Sequence, residues 1–362
     1  MAISEAIIIT INYGEIKLNN ILAVLPTIRD LDNCTEWANV FEKDNVTLIV
    51  IQDGEKQDVN IPNQFKEACR EVILLRWADI DNMLKNDNWI ISRYDSAIRC
   101  FGWLWATKNG LDFDYIFTFD DDTKPLSEDH ISQHVKNLNS KVINSTFNTI
   151  PQFEENDIFY PRGMLGKRKE TFLSHGLWLT VPDFDAKTQI RLKDGYQWDL
   201  PKFLQEVPRN ILFPMCGMNI LFKSELAPIM YFGLMGNNPE KTPWGVGRWD
   251  DMFCGWMAKL WIDYIDGAVV SGIPFCDHIR ASDPISNLEK EQLWLDHDLS
   301  DFILEINHAN NKGLINGDKI ADYTQSLLRI AKELYSDNNS KKKSIDHFLK
   351  NIEACNIFSS YF

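Results

Sequence analysis

YIFTFDDDTKP, residues 115–125, runs an apolar, aromatic-rich segment straight into three consecutive aspartates. So apolar a run, closed by polar and turn residues, reads as a buried strand. Asp120, Asp121 and Asp122 then sit at its carboxyl end. Three adjacent carboxylates repel one another and hold their protons more tightly unless a cation offsets them. As hard oxygen donors they suit Mg2+ or Mn2+, which takes one or two carboxylates and fills its shell with substrate phosphates. Strand alternation puts Asp120 and Asp122 on one side and Asp121 on the other. An isolated DDD in an acidic protein is more often a solvated turn or a helix N-cap, here ahead of SEDHISQHVKNL. Two companion strand ends shift that balance toward a site.

The companions are ILAVLP (21–26) and VTLIVIQDG (46–54), apolar runs that also stop at turn residues. Between the runs lie amphipathic stretches, TEWANVFEK and SRYDSAIRCFGWLWATKNG, the second long enough for a helix ending at Gly110. Strands alternating with helices predict a parallel α/β sheet covered on both faces. Ligands of such sheets sit beyond the carboxyl ends of the strands. Pro26-Thr27-Ile28-Arg29, Gln52-Asp53-Gly54 and Asp120–Asp122 are therefore expected to converge on one crevice. From about residue 140 to 285 the pattern is mixed and rich in Gly, Pro and Trp. After Pro284 it turns polar and helical, as in DYTQSLLRIAKELYSD. SDNNSKKKS (336–344) reads as a linker before a short amphipathic end, IDHFLKNIEACNIF. The organisation expected is a catalytic domain over 1–285 and a helical extension over 286–362, packed on the main domain or on another subunit.

The 362 residues carry a formal net charge of −15, and 44% of them are hydrophobic. That charge disfavours nucleic acid and anionic membrane surfaces as partners. A phosphorylated ligand must be held by local basic groups or a metal ion. The N-terminus lacks the basic region of a secretory signal, no apolar run is long enough to span a bilayer, and seven cysteines form no CxxC pair. Buried free thiols and a cytoplasmic location are expected.

Other motifs weigh less. His130 and His134 in HISQH have i, i+4 spacing but lack the glutamate of a HExxH zinc site, so a surface pair on the helix after the DDD strand is expected. Gly245 and Gly247 in WGVGRWDD follow no strand, and neither a flavin nor a nicotinamide site is found. Asp250-Asp251, after that loop, either aims a carboxylate into the cleft or decorates a helix N-terminus. His278 in CDHIRASDP is a core histidine or a metal ligand.

Longer words carry a resemblance. SHGLWLTVPDFDAKTQ (174–189), LFPMCGMNILF (212–222), MYFGLMG (230–236), GRWDDMFCGW (247–256) and GIPFCDHIRASDP (272–284) resemble the reversibly glycosylated polypeptide family, the UDP-arabinopyranose mutases. PTIRDLD (26–32), IQDG (51–54), DSAIRCFG (95–102), FDDD and QHVKNL (133–138) fit in the same order, so the likeness covers about residues 21–290. The resemblance implies a glycosyltransferase A-type, nucleotide-diphospho-sugar transferase-like fold: a mixed, mostly parallel sheet with helices on both faces and a helical C-terminal tail. It implies a divalent metal, Mn2+ or Mg2+, at the DDD motif. It also implies non-redox interconversion of a UDP-sugar between six- and five-membered rings, without FAD or NAD. The family's glycosylated arginine has its counterpart at Arg162, with Arg168 as the second arginine after gaps. That segment departs most from the family pattern.

The roles expected from these readings are as follows. Asp120, Asp122 and His278 hold the metal. Pro26, Thr27, Arg29, Asp53, Arg76, Asp79, Arg99, Asp120 and Asp121 hold the nucleotide. Asp250, Asp251, Arg162, Arg168 and His175 serve the sugar chemistry, in a water-poor site lined by Trp178 and Trp249. A metal-dependent glycosyltransferase using the same nucleotide residues, or a silent subunit of a larger assembly, is the competing reading. A homo-oligomer is possible on this sequence, and the sugar is not fixed by it.

Overall fold

The structure, a computed structural model, describes residues 19–55, 59–139, 169–180, 184–192, 204–279, 283–291, 297–337 and 342–362. Its frame is one sheet built from β1 (Asn20–Thr27), β2 (Asn45–Gln52), β3 (Glu71–Leu75), β4 (Tyr115–Phe119), β5 (Thr123–Pro125), β6 (Thr171–Leu179), β7 (Leu204–Glu206), β8 (Asn219–Lys223) and β9 (Ala268–His278). Their order is β3-β2-β1-β4-β8-β6-β9-β5, with β7 also on β9. The pairings set β1 to β4, β6 and β9 in one direction and β5, β7 and β8 in the other. The sheet is thus mixed and mostly parallel, as expected.

The strands predicted at 21–26, 46–54 and 115–119 are the central ones, and each is buried almost throughout. Alternation explains why they lack a polar face. Leu22 and Val24 join Ile49 and Ile51 in one hydrophobic cluster, whereas Ile21, Ala23 and Leu25 join Val46, Leu48 and Val50 in the other. Each such side chain contributes roughly 1.5–3 kcal/mol by leaving water. The second cluster is roofed by α1 (Glu36–Phe41), α2 (Asn63–Ala68) and α5 (His130–Asn139). The first is roofed by α3 (Trp77–Leu84) and α4 (Cys100–Lys108) with α7 (Asp250–Tyr264), α9 (His297–Asn311), α10 (Ile320–Asp337) and α11 (Lys343–Ser360). Two short helices, α6 (Ala186–Leu192) and α8 (Pro284–Glu291), pair outside these layers. The C-terminal helices bury Phe302, Tyr323, Ile345 and Phe348 in the same cluster as the sheet.

Three readings of the sequence change. The helix expected up to Gly110 is broken: Asp95 caps a 3-10 turn at Ser96–Arg99, and α4 follows. β3 has no counterpart among the predicted strands: its apolar run, Val72–Leu75, is only four residues long and lies between charged residues at the sheet edge. His130 and His134 are not a surface pair. Both are fully buried, and their Nε2 atoms lie 2.8 and 2.9 Å from Asn219 Oδ1. The amphipathic periodicity of α5 had no way to show that its polar residues face a polar pocket inside the sheet. All seven cysteines are buried free thiols. Among the described residues no helix is long and apolar enough to cross a membrane.

Candidate active site

β1 has β2 on one side and β4 on the other, so the chain order reverses between β1 and β4. That reversal opens the crevice in which ligands of α/β sheets bind. The three expected strand ends do meet there. Asp53 N donates to Thr27 O (2.8 Å), closing the end of β2 against β1 just past the register pair Pro26–Ile51. Thr27 Oγ1 donates to Asp121 Oδ2 (2.6 Å), joining β1 to the DDD turn.

Strand alternation does not govern the three aspartates, because β4 stops at Phe119. Thr123 donates to Asp120 O from both its backbone N (3.2 Å) and its hydroxyl (2.8 Å), curling residues 120–122 into a turn. Their carboxylates then diverge, with Arg29 Nη2 shared between Asp121 and, at 3.8 Å, Asp122 Oδ2. Asp120 Oδ1 accepts from Arg99 Nη2 at 2.6 Å. Asp121 is gripped by both ends of the Arg29 guanidinium, with Nε at 3.1 Å. Asp122 Oδ1 lies 3.8 Å from His278 Nε2, across the antiparallel pair Thr123–His278 of β5 and β9. Burial, then Asp120, push the Asp122 carboxyl above the usual range, and His278 opposes the shift.

Arg99 is 1% exposed and uses its whole fork: Nε donates to Ser96 O (2.9 Å), and Nη1 donates to Thr118 Oγ1 (3.0 Å) and Gly217 O (2.6 Å). Gly217 is required by this crowding, since a Cβ there would stand 2.8 Å from Phe232 and 3.1 Å from the Arg99 guanidinium carbon. Asp250 opens α7 and accepts from Ser96 Oγ at 2.6 Å. Burial raises its pKa, while Ser96 and Arg99 pull the other way. Asp251 Oδ2 lies 3.4 Å from Gly217 N. Asp120, Arg99, Ser96 and Asp250 thus form one chain of contacts from the crevice into the protein. Asp95, unassigned from the sequence, lies beside it. Its Oδ1 caps Ala97 N (2.7 Å), its Oδ2 is buried without a partner among the described residues, and burial with Asp250 holds it well above the carboxylate range.

On the β2 side, Asp53 is 3% exposed and accepts from Trp77 Nε1 (2.8 Å), and its Oδ2 has no partner among the described residues. Burial is the main cause of its raised pKa. Trp77 packs edge-on against exposed Tyr94 (4.9 Å between centroids). Asp79 lies just past the end of β3, two residues after Trp77. Its carboxylate accepts from Arg76 N (2.7 Å) as the capping residue of α3, so Arg76 and Asp79 shape the helix entry.

His175 lies on β6 with Nε2 accepting from Cys216 N (3.2 Å) and Nδ1 at 2.9 Å from Ser271 Oγ. Burial pushes its pKa down to about 3, so it is neutral and both nitrogens are engaged. It holds the Cys216–Gly217 corner rather than opening onto the strand ends. Trp249 is fully buried against Phe253, Trp256 and Phe348, a core position instead of the site lining expected for it. Trp178 is nearly buried, edge-on to His175. Arg162 and Arg168 lie outside the described residues.

A divalent cation fits the donors present. Among the described residues no group of three His, Cys, Asp or Glu could hold a metal. Asp122 and His278, 3.8 Å apart, would make a two-ligand half-site, suited to an ion that completes its shell with a diphosphate and water. Asp120 and Asp121 are the more tightly paired with arginines, Arg29 standing 3.8 Å from Asp122 Oδ2 as well.

Comparisons place the chain. The family model described as "Reversibly glycosylated polypeptide" matches residues 16–328. "UDP-arabinopyranose mutase 3" of Arabidopsis thaliana is 38% identical over 279 residues, covering 74% of this chain and 72% of that one. "Probable UDP-arabinopyranose mutase 1" of Pisum sativum is 38% identical over 281 residues with the same coverage. Among solved structures, glucosyl-3-phosphoglycerate synthase from Mycobacterium tuberculosis, in complex with Mn2+, UDP-glucose and phosphoglyceric acid, aligns over 82% of this chain and 79% of that one. Its 11% identity and TM-score of 0.38 are too low to carry an argument. On the extent of the family match and the identity to these relatives, the chain belongs to the reversibly glycosylated polypeptide family.

Proposed function

We propose that the chain is a UDP-sugar mutase, interconverting the pyranose and furanose rings of UDP-L-arabinose without a redox cofactor. The observation that carries this reading is the split of the three aspartates at the sheet's reversal point. Arg99 and Arg29 pair closely with Asp120 and Asp121, whereas Asp122 stands at a looser 3.8 Å from both Arg29 and His278. Kinship supports the substrate, since the relatives bear the name UDP-arabinopyranose mutase.

Asp122 and His278 would hold Mn2+ or Mg2+, which when bound offsets the charge of a diphosphate leaving group. The Thr27–Arg29 turn, braced on Asp121, frames the nucleotide end of the crevice. Asp53 and Trp77 stand beside it with one buried carboxylate oxygen ready to accept from a base or ribose. Arg99 fixes Asp120 and lends the crevice positive charge that the molecule as a whole lacks. When the C1–O bond to diphosphate breaks, the electron pair leaves with the phosphate and an oxocarbenium-like sugar remains. A ring hydroxyl attacks C1, and the former ring oxygen departs as a hydroxyl. The proton lost by the first is the proton needed by the second, so one carboxyl group can take and return it. The Asp250–Asp251 pair is assigned this shuttle, because burial keeps Asp250 closer to the proton affinity such a role needs. The diphosphate then recaptures C1 as the furanose. Arg162 and Arg168 are assigned to clamp sugar or phosphate, and His175 to hold the Cys216–Gly217 corner. A cytoplasmic location accords with seven free thiols.

The test is incubation of the pure protein with UDP-L-arabinopyranose and Mn2+ or Mg2+, with no acceptor, followed by NMR of the anomeric region. A new furanose signal that disappears in Asp122→Asn is expected. Sugar transfer that requires an added acceptor, with no furanose formed, would replace this reading by a glycosyltransferase.

A further inference from the structure

We infer that helix α11 is a positioning part of the active site: through Asn351 and His347 it clamps the backbone of residues 232–237, the segment against which Arg99, Asp250 and Arg93 are set. The inference rests on the reading of that site given above. It concerns a helix, residues 343–360, that lies beyond the 16–328 stretch matched by the family model.

The segment 232–237 belongs to no helix or strand, so its place depends on what its polar groups meet. At its start the Phe232 ring lies 5.1 Å from the Arg99 guanidinium carbon, and Gly233 N donates to Asp250 O (3.3 Å). At its end Asn237 exchanges two 2.9 Å hydrogen bonds with Arg93, and Met235 N donates to Ser92 Oγ (2.9 Å). Arg99 and Asp250 belong to the chain of contacts described above, and the Arg93 guanidinium carbon lies 5.2 Å from the ring centroid of Trp77, the donor to Asp53. The middle of the segment is held from the opposite side. Leu234 N donates to Asn351 Oδ1 (2.5 Å), and His347 Nε2 donates to Leu234 O (2.9 Å). Both backbone groups of Leu234 are therefore served by α11 side chains.

The arrangement is directional. Asn351 Nδ2 donates to His347 O (2.8 Å), a group that only accepts, so the amide must present its oxygen to Leu234 N. The carbonyl of Leu234 likewise requires the tautomer of His347 that carries hydrogen on Nε2. Asn351 is fully buried, where an amide is tolerated only if it is paired. Contact is close as well: a Cβ on Gly233 would stand 2.5 Å from Asn351 Oδ1, so no side chain fits there. A helix recruited for packing alone would present only groups such as Ile345, Phe348 and Ile352, which α11 also does. The two polar residues spend their bonding capacity on one residue of the loop behind Arg99 and Asp250.

The test uses the full chain as Asn351→Leu, His347→Phe and His347→Gln, with Leu327→Ala in α10 as a control that loosens packing elsewhere in the helical layer. Three quantities are read: kcat and KM for the nucleotide sugar, UDP affinity by calorimetry, and amide exchange over 232–237 and 96–99. In Asn351→Leu and His347→Phe, kcat is expected to fall about 10- to 100-fold while UDP affinity stays within about threefold. Exchange rises in both segments. His347→Gln, which places an amide donor near the lost Nε2, recovers most of kcat, and Leu327→Ala loses stability without losing kcat. Unchanged kcat and exchange in folded Asn351→Leu and His347→Phe would overturn the inference, as would an equal loss of kcat in Leu327→Ala. Should the apolar variants fail to fold, His347→Gln against the shorter His347→Asn decides it, the first active and the second not. Should the wild type isomerise no nucleotide sugar, the proposed function fails, and amide exchange alone still decides whether α11 holds the segment.

Discussion

Arg99 and Asp120 form a 2.6 Å ion pair whose cation is 1% exposed, so the arginine is held inside the protein with its charge directed at the crevice. Four acceptors share its fork. Arg99→Met leaves them unanswered and is expected to lower stability by about 3 kcal/mol or more, measured by urea unfolding. Arg99→Lys keeps the charge but not the planar fork. Its turnover is expected to drop about 100-fold with a smaller loss of stability, because Asp120 is no longer held in place.

The proposed half-site would make the cation dependent on both Asp122 and His278. Mn2+ binding followed by EPR in the presence of UDP is expected to weaken about tenfold or more in His278→Ala and in Asp122→Asn. Turnover is expected to vanish with EDTA and return with Mn2+. Undiminished Mn2+ affinity in Asp122→Asn would remove the half-site from Asp122 and His278.

Asn219 is the hub of the polar pocket beneath β4, β6 and β8. Its Oδ1 meets His130 and His134, and its Nδ2 donates to Leu177 O (3.1 Å) and Pro274 O (3.0 Å). Asn219→Ala strands several buried groups at once and is expected to cost about 3 kcal/mol or more in chemical unfolding. A loss below about 1 kcal/mol would mean that water replaces the amide freely.

His175 gives a pH signature. Its folded pKa of about 3 lies below the ordinary 6.5, so on acidification the unfolded chain takes up a proton first. The stability tied to its neutral form is complete above pH 6.5 and is lost as pH falls toward 3. His175→Gln cannot titrate. Between pH 6 and 4 its unfolding free energy is expected to fall less steeply than the wild type's, by about 1.4 kcal/mol per pH unit.

What the sequence revealed and what it hid divide along physical lines. Strands buried on both faces are nearly all apolar, so β1, β2 and β4 stood out, and with them the polar ends Thr27, Asp53 and Asp120. Arg99 and Asp250 were named, but not the chain of contacts between them, which runs through Ser96 over 154 positions of sequence. Asp95 was passed over because it sat inside the stretch read as one helix up to Gly110, whereas it caps the 3-10 turn that breaks that stretch. The inward-facing His130 and His134 were missed because periodicity reports an apolar face and is silent about what a polar face meets, and β3 because an apolar run of four is too short to stand out. Trp249 was taken for a site residue because aromatic density looks the same in a cleft lining as in a core.

β9 follows α7 through one tight turn at Ile265–Gly267, and together they carry Asp250 at the first end and His278 at the last. Both residues return to the same crevice after a full passage out and back across the molecule. Pairing of β9 with β6 fixes its register at positions such as Ser271 against His175. One residue inserted within β9 after Ser271, if not absorbed as a further bulge against β6, would send His278 to the opposite face of the sheet. Within β9, then, the number of residues before His278 matters as much as the buried side chains that they carry.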